Sequence, residues 1–243
     1  VAEARSSIAG YLRERREAAG LTRAELARKA GVSEALIQKL EQGTRPPTSA
    51  TLGALFEALD VPAQFREYAA SVMQPELTAL GFDDEAPSPA ELAFLNSLPY
   101  PACYQTLPSV DLIAANEAYL RAFPGLAPGG NIIEWMLLNP NAKYVLEDWE
   151  GQTHFMVFAF RHMAPGVVAP ERMAEVIEVC GRSPDWERFW STEIAPADIP
   201  RRPIRVRSAE TGERTTMHIH LFRVELPRRP WSMYTLVPSP DGD

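Results

Sequence analysis

The stretch "LTRAELARKAGVSEALIQKLEQGTRPP", residues 21–47, holds two short helical patterns on either side of one glycine. Thr22 followed three residues later by Glu25 forms a capping box, in which the hydroxyl takes one orphan helix N–H and the carboxylate reaches back to another. Leu26, Ala27 and Ala30 then recur at helical spacing until Gly31 ends the pattern. Ser33 opens the second helix, "EALIQKLEQ", which stops at Gly43. At about 100° per residue, Ser33, Ile37 and Leu40 fall on one side of it. Glu34, Ala35, Gln38, Lys39 and Gln42 fall on the other, with Leu36 at the seam. A helix that is apolar on one side and carries short polar groups on the other fits a DNA major groove, about 12 Å wide. Two helices joined by a glycine-containing turn make the helix-turn-helix unit.

Working outward, Ile8, Leu12, Ala19 and Leu21 predict an earlier amphipathic helix closed near Gly20. Thr48 or Ser49 caps a fourth, with Leu52, Leu55, Phe56 and Leu59 inward, and residues 63–72 read as a fifth. Residues 1–73 carry ten basic and nine acidic side chains, whereas residues 74–243 carry fourteen against twenty-three. A near-neutral head with clustered arginines on an acidic chain of net charge −8 suits a nucleic-acid module joined to something else.

Stretch 21–47 and its flanks, about residues 8–72, resemble the helix-turn-helix of the Xre/lambda-repressor-like family, whose pattern runs L-T-Q-x-E-L-A-x-x-A-G-V-S…I-x-x-L-E-x-G. The resemblance implies a double-stranded DNA operator as partner and base-reading positions at Glu34, Ala35 and Lys39, with Ser33 and Gln38 also among the DNA-binding candidates. It places phosphate contacts at Arg23, which stands where the family has glutamine, and at Thr44 and Arg45. Glu34 is repelled by phosphate and helps only by accepting from cytosine N4, so the module is expected to select more than to grip. One such helix reads too few base pairs for a genomic address, so a homodimer on two half-sites is expected. The bland alternative is a helical unit that binds protein.

Size and composition set the frame for the rest. At 243 residues, 46% hydrophobic and 23% charged, the chain is an ordinary globular protein with room for two domains. No window approaches the ~18 apolar residues of a membrane span, and the opening "VAEARSSIAGYLRERR" does not read as a secretory signal. Cys103 and Cys180 lack CxxC spacing, and the expectation is a reducing cytoplasm. Pro75, Gly81, Pro87, Pro89 and the acids Asp83 to Glu85 mark a boundary. The expected organisation is a helix-turn-helix domain at 1–73, a linker at 74–90 and a larger domain at 91–243.

That larger part mixes signals. "PACYQTL" and "VDLIAA" are strand-like around the Pro108-Ser109 turn. Asn116 and Asn131 cap helices, and residues 141–163 read as one long helix, although "HFMVFAF" also passes for a strand. "PERMAEVIEVCG" and "SPDWERFWSTE" are helices. "PIRVRSA", "RTTMHIHLFRVEL" and "WSMYTLVP" form a three-strand antiparallel meander. The fold class is therefore an all-α head followed by an α+β, PAS-like domain with an antiparallel sheet.

"LPYPACYQTLPSVDLIAANEAYLRAF", "NPNAKYVLEDWE" and "FWSTE" before the closing strands resemble the ligand-binding domain of MmyB-like regulators, over about residues 92–238. The resemblance implies a one-component transcription regulator whose second domain senses a small, largely apolar molecule, with a fatty-acid-like one as the candidate. Tyr104, Trp135, Met136, Phe155, Phe158, Phe189, Trp190 and Tyr234 are the candidate lining, because an apolar pocket needs aromatic bulk and side chains that adapt to irregular shapes. For each alone, core packing is the plainer reading. The other class of function is a DNA-binding protein whose second domain docks a protein partner.

Catalysis finds little support. GxSxG, HExxH and a phosphate-cradling glycine loop are missing from the sequence. His218 and His220 share a strand face at a spacing that can ligate zinc, but no Cys, Asp or Glu cluster completes the set. No metal and no cofactor are expected.

Overall fold

The computed structural model describes residues 8–45, 47–61, 66, 86–165, 167–194, 203–225 and 228–240. Two compact units emerge: Val1–Leu80 with Ala159–Glu175, and Gly81–Phe158 with Val176–Asp243.

The first unit is helical. α1 spans Ile8–Ala18, α2 Arg23–Ala30, α3 Glu34–Glu41 and α4 Ser49–Ala58. Caps set the starts of α2, α3 and α4. The Thr22 hydroxyl accepts from the Glu25 N–H at 3.2 Å while the Thr22 N–H donates to Glu25 Oε2 at 2.8 Å. Ser33 caps α3 through the Leu36 N–H, and Thr48 caps α4 through the Thr51 N–H. Gly31 ends α2 at φ 66°, a left-handed conformation that a β-carbon resists. Tyr11, Leu12, Leu26, Ile37, Leu40, Leu55 and Phe56 are buried, and Tyr11 meets Phe56 edge-on at 6.1 Å. The fifth helix expected at 63–72 lies outside the described residues apart from Arg66, whose Nε donates to the Val61 carbonyl.

The second unit is α+β. Its elements are α5 (Pro89–Ser97), β1 (Ala102–Thr106), β2 (Leu112–Ala115), α6 (Glu117–Ala122), α7 (Ile132–Leu138), α8 (Pro140–Val145), α11 (Trp186–Ser191), β3 (Ile204–Arg207), β4 (Arg214–Glu225) and β5 (Arg228–Pro238). Two helices pass from one unit to the other along the chain, α9 (Trp149–Met163) and α10 (Pro170–Cys180). The five strands run in the order β2-β1-β5-β4-β3, every neighbour antiparallel. The predicted closing meander is therefore present, with β1 and β2 extending it beyond β5.

Strand alternation divides this sheet into two faces. On one, Cys103, Leu112, Ile204, Val206, Met217, Tyr234 and Leu236 pack against Tyr119, Phe123, Trp135, Met136, Ala142 and Val145. On the other, Ala102, Tyr104, Ala114, Trp231 and Met233 pack against Leu95 and Leu98 of α5 and its end. α5 is held there by its own capping box, since Ser88 caps it and Glu91 accepts from Arg229 at 2.8 and 3.0 Å. Burial raises the Glu91 carboxyl, yet the bonds from Arg229 and Ser88 outweigh it and keep the group below its ordinary value. Asparagines staple the turns. Asn116 accepts from the Tyr119 and Ala102 N–H groups and donates to the Leu98 and Tyr100 carbonyls.

The single helix expected over 141–163 is two. α8 ends at Val145, and Leu146 forms a bridge with Val206 while the Glu147 N–H donates to the Arg205 carbonyl at 3.2 Å. The backbone here bonds to the edge of β3 in place of its own helix. Arg205, Arg207 and Arg214 reach the Glu147 carboxylate at 3.1, 3.5 and 2.7 Å and fix the break. "HFMVFAF", open to a strand reading in sequence, is helical within α9.

Candidate nucleic-acid interface and ligand site

The recognition surface is built from what α3 buries. Ile37, Leu40 and Glu41 face inward, whereas Glu34, Ala35, Gln38, Lys39 and Gln42 are exposed and Leu36 is half-buried. The helical wheel separates the two faces in the same way except at Ser33, which it sets beside Ile37 and Leu40. Ser33 is exposed, and its hydroxyl accepts from the Leu36 N–H at 3.2 Å. Thr44 donates to the Lys39 carbonyl at 3.1 Å, and Arg45 is exposed.

A feature not read from the sequence anchors this face. The Glu41 side chain is 1% exposed and receives Arg16 Nε at 2.6 Å and Nη2 at 3.1 Å. Arg23 Nε donates to Oε2, the oxygen that also accepts from Arg16 Nη2, at 2.8 Å. Arg16 also donates to the Leu21 carbonyl at 2.8 Å, so three helices and the α1–α2 loop meet at one carboxylate. Burial pushes the Glu41 carboxyl up, but the bonds from Arg16 and Arg23 win and hold it below the ordinary range. Arg23, expected to touch phosphate, is thus oriented by Glu41 while its side chain stays 41% exposed. The signal that could have found this is a charged residue, Glu41, in register with the buried Ile37 and Leu40.

The aromatic candidates do not form one lining. Trp135, Met136 and Tyr234 do gather, in the cluster with Tyr119 and Phe123. Trp135 meets Phe123 edge-on at 5.7 Å, and its indole N–H donates to the Pro124 carbonyl at 3.0 Å. Tyr104 stands on the opposite face of the sheet, against Trp231 at 4.2 Å, with its hydroxyl donating to the Glu91 carbonyl at 2.9 Å. Strand alternation separates it from Cys103 and hence from Trp135, Met136 and Tyr234. Phe158 and Phe189 are fully buried. Phe189 lies between Trp149, at 5.8 Å, and His154, at 5.3 Å. Trp190 stacks on Trp186 at 4.8 Å, and Phe155 is half-buried. A concavity of about 190 Å³ opens beside Ala122, Val206, Thr215 and Met217, with Arg121 and Ser208 at its polar side, and none of the eight candidates lines it.

The other chemistry considered in sequence is also placed. His218 and His220 stand on the sheet face opposite Met217 and Ile219, and His220 stacks near Phe222 at 6.2 Å. Among the described residues, no group of three His, Cys, Asp or Glu side chains is placed to hold a metal ion. Burial pushes the Cys103 thiol up to about 12, which leaves it protonated and a poor nucleophile. Among the described residues, no helix is long and apolar enough to cross a membrane.

A capped helix-turn-helix with a solvent-facing second helix, followed by a separate α+β unit, defines a DNA-binding regulator that carries its own ligand-binding domain. Family models agree on both parts: a helix-turn-helix domain matches residues 7–68, and the MmyB-like transcription regulator ligand binding domain matches residues 87–243. The chain belongs to the MmyB-like transcription regulators. Neither matched family is one of enzymes. Comparison with curated proteins finds no match.

Proposed function

We propose that the protein is a one-component regulator whose α3 reads operator DNA through Glu34, Ala35, Gln38 and Lys39, with Arg23, Thr44 and Arg45 on the phosphates. The observation that carries this reading is the exposed polar face of α3, on a helix anchored through the buried Glu41. Lys39→Ala weakens binding of an operator duplex selected from a random library. It either lowers the salt slope by about one counterion or relaxes one base position. Glu34→Ala loosens selectivity and leaves non-specific binding equal or stronger. If both variants bind as the wild type does, α3 does not read the groove.

The protein acts as a homodimer on two half-sites, because one recognition helix specifies too little sequence. Sedimentation of the full chain with and without duplex tests this, and a monomer on a single half-site refutes it. The second unit, PAS-like in its strand order, senses a small and largely apolar ligand of fatty-acid type. The support is the apolar wall of the concavity at Ala122, Val206 and Met217, continuous with the cluster holding Trp135 and Met136. A ligand regulates only by its differential affinity for two states of the protein. Mass spectrometry of lipophilic extracts, then melting with saturated fatty acids of graded length, tests the ligand class. No bound lipid and no rise in melting temperature favour the alternative, a docked protein partner, for which the exposed Leu221 and Phe222 are the candidate contacts.

A further inference from the structure

The helices that face DNA are tied to a residue almost 150 positions downstream. Within the first unit, Arg15 of α1 is 7% exposed. Its Nη2 lies 3.0 Å from Nδ1 of His162, near the end of α9, and 3.4 Å from the Leu59 carbonyl that closes α4. One turn earlier on α1, Tyr11 donates to the His162 carbonyl at 3.5 Å. Nε2 of the same imidazole faces Arg161 Nη2 at 3.1 Å. Both ring nitrogens thus look at guanidinium donors, and a neutral ring can accept from only one of them. Burial, then Arg15 and Arg161, hold its pKa down to about 3, so the ring is neutral at physiological pH.

Arg15 is followed by Arg16, the residue that binds Glu41 of α3, and Glu41 in turn orients Arg23 of α2. Adjacent residues of one helix move as a body, so any turn of α1 that shifts Arg15 shifts Arg16 with it. The Arg16–Glu41 contact at 2.6 Å tolerates little of that motion, because hydrogen bonds weaken steeply away from their preferred geometry. At its other end the chain is equally continuous. α9 runs unbroken from Trp149, and residues 149–158 belong to the ligand-binding unit while residues 159–163 belong to the first.

We propose that His162 is a positioning residue for operator recognition: it holds Arg15 and so sets α1 and, through Arg16 and Glu41, the placement of α3 and Arg23. The proposal rests on the reading of α3 given above, and its test separates the two.

The experiment uses the full chain and a duplex selected by the wild-type protein from a random library, with binding followed by fluorescence anisotropy. His162→Asn keeps an acceptor near the position of Nδ1. His162→Gln carries its acceptor further out, near the position of Nε2, and His162→Leu has none. The expected order of affinity is wild type and Asn together, then Gln, then Leu, with Leu weaker by about tenfold. Thermal melting of each variant accompanies the titration, and the Asn–Gln comparison stands even if His162→Leu fails to fold. Rescue by Asn over Gln, at equal melting temperature, supports positioning, since a space-filling role does not distinguish where the acceptor sits. Equal affinity of Asn and Gln overturns the proposal. If Lys39→Ala, run beside them, also binds as the wild type does, the reading of α3 falls and this proposal with it. If Lys39→Ala binds weakly while every His162 variant binds normally, only the role of His162 falls.

Discussion

The helical unit and the sheet unit both have an apolar core and carboxylate–arginine contacts, but the Glu41 side chain is 1% exposed against 13% for Glu147 and 19% for Glu91. In the first, three helices converge on one buried carboxylate, and Glu41 accepts from two arginines. In the second, two apolar clusters lie on opposite faces of one sheet, with asparagine side chains fastening the turns. The difference teaches where each unit tolerates change. A polar junction fixes the angle between helices and fails abruptly when one partner is lost, whereas an apolar core loses stability in proportion to the volume removed.

The largest effect that can break this comparison is at the junction. Glu41→Ala leaves Arg16 buried without its carboxylate and costs about 3–5 kcal/mol in the helical unit, read by chemical denaturation. The sheet unit, followed by tryptophan fluorescence, keeps its own transition. If Glu41→Ala costs no more than an exposed substitution, the junction is not what sets the helices. Acid has the same target. The Glu41 carboxyl sits below its ordinary value, so its contribution is complete above the unfolded pKa and is lost as pH falls through the folded one.

Next comes the apolar core. Leu236→Ala, at a position with no exposure on β5, costs about 2–5 kcal/mol by the volume it empties, and the sheet unit alone is affected. Comparable loss in both units would mean that they unfold as one.

A third effect is a pH dependence confined to the helical unit. The His162 ring takes a proton below about 6.5 when unfolded but only near 3 when folded. The unfolded state therefore binds more protons between these values, and stability rises with pH across that window, by at most about 1.4 kcal/mol per unit from this group. His162→Asn removes this slope, and an unchanged slope in the variant assigns it to other groups.

The smallest effect is at the turns. Asn131 accepts from the Ile133 and Glu134 N–H groups and donates to the Ser109 carbonyl at 2.7 Å. Asn131→Ala costs about 1–3 kcal/mol, and Thr22→Ala, at an exposed cap, about 1 kcal/mol. Equal cost at both sites would show that burial adds nothing to the asparagine staple.

These same differences explain what could be read from the sequence. The caps at Thr22, Ser33, Asn116 and Asn131 and the two faces of α3 were legible, because caps and amphipathic faces are local patterns. The break between α8 and α9 was not, since it depends on β3, nearly sixty residues later, offering an edge to Leu146 and Glu147. Nor was the separation of Tyr104 from Trp135. Which face a strand residue takes follows from pairing with β5, and an aromatic that lines a pocket has the same chemistry as one that fills a core. The junction at Glu41 was not legible for a related reason. A glutamate in a helix is ordinarily solvated, and only the fold brings Arg16 and Arg23 to it.

The membership of residues 159–175 in the helical unit bears on how such regulators can be inherited. The two family segments look like interchangeable cassettes, joined by a proline- and acid-rich stretch where recombination would be cheapest. A crossover there would import a head whose Arg15 was selected against a different residue 162. Viable exchanges would be those in which both positions travel together or drift in concert. Pairwise covariation between positions 15 and 162 is the record such a history would leave.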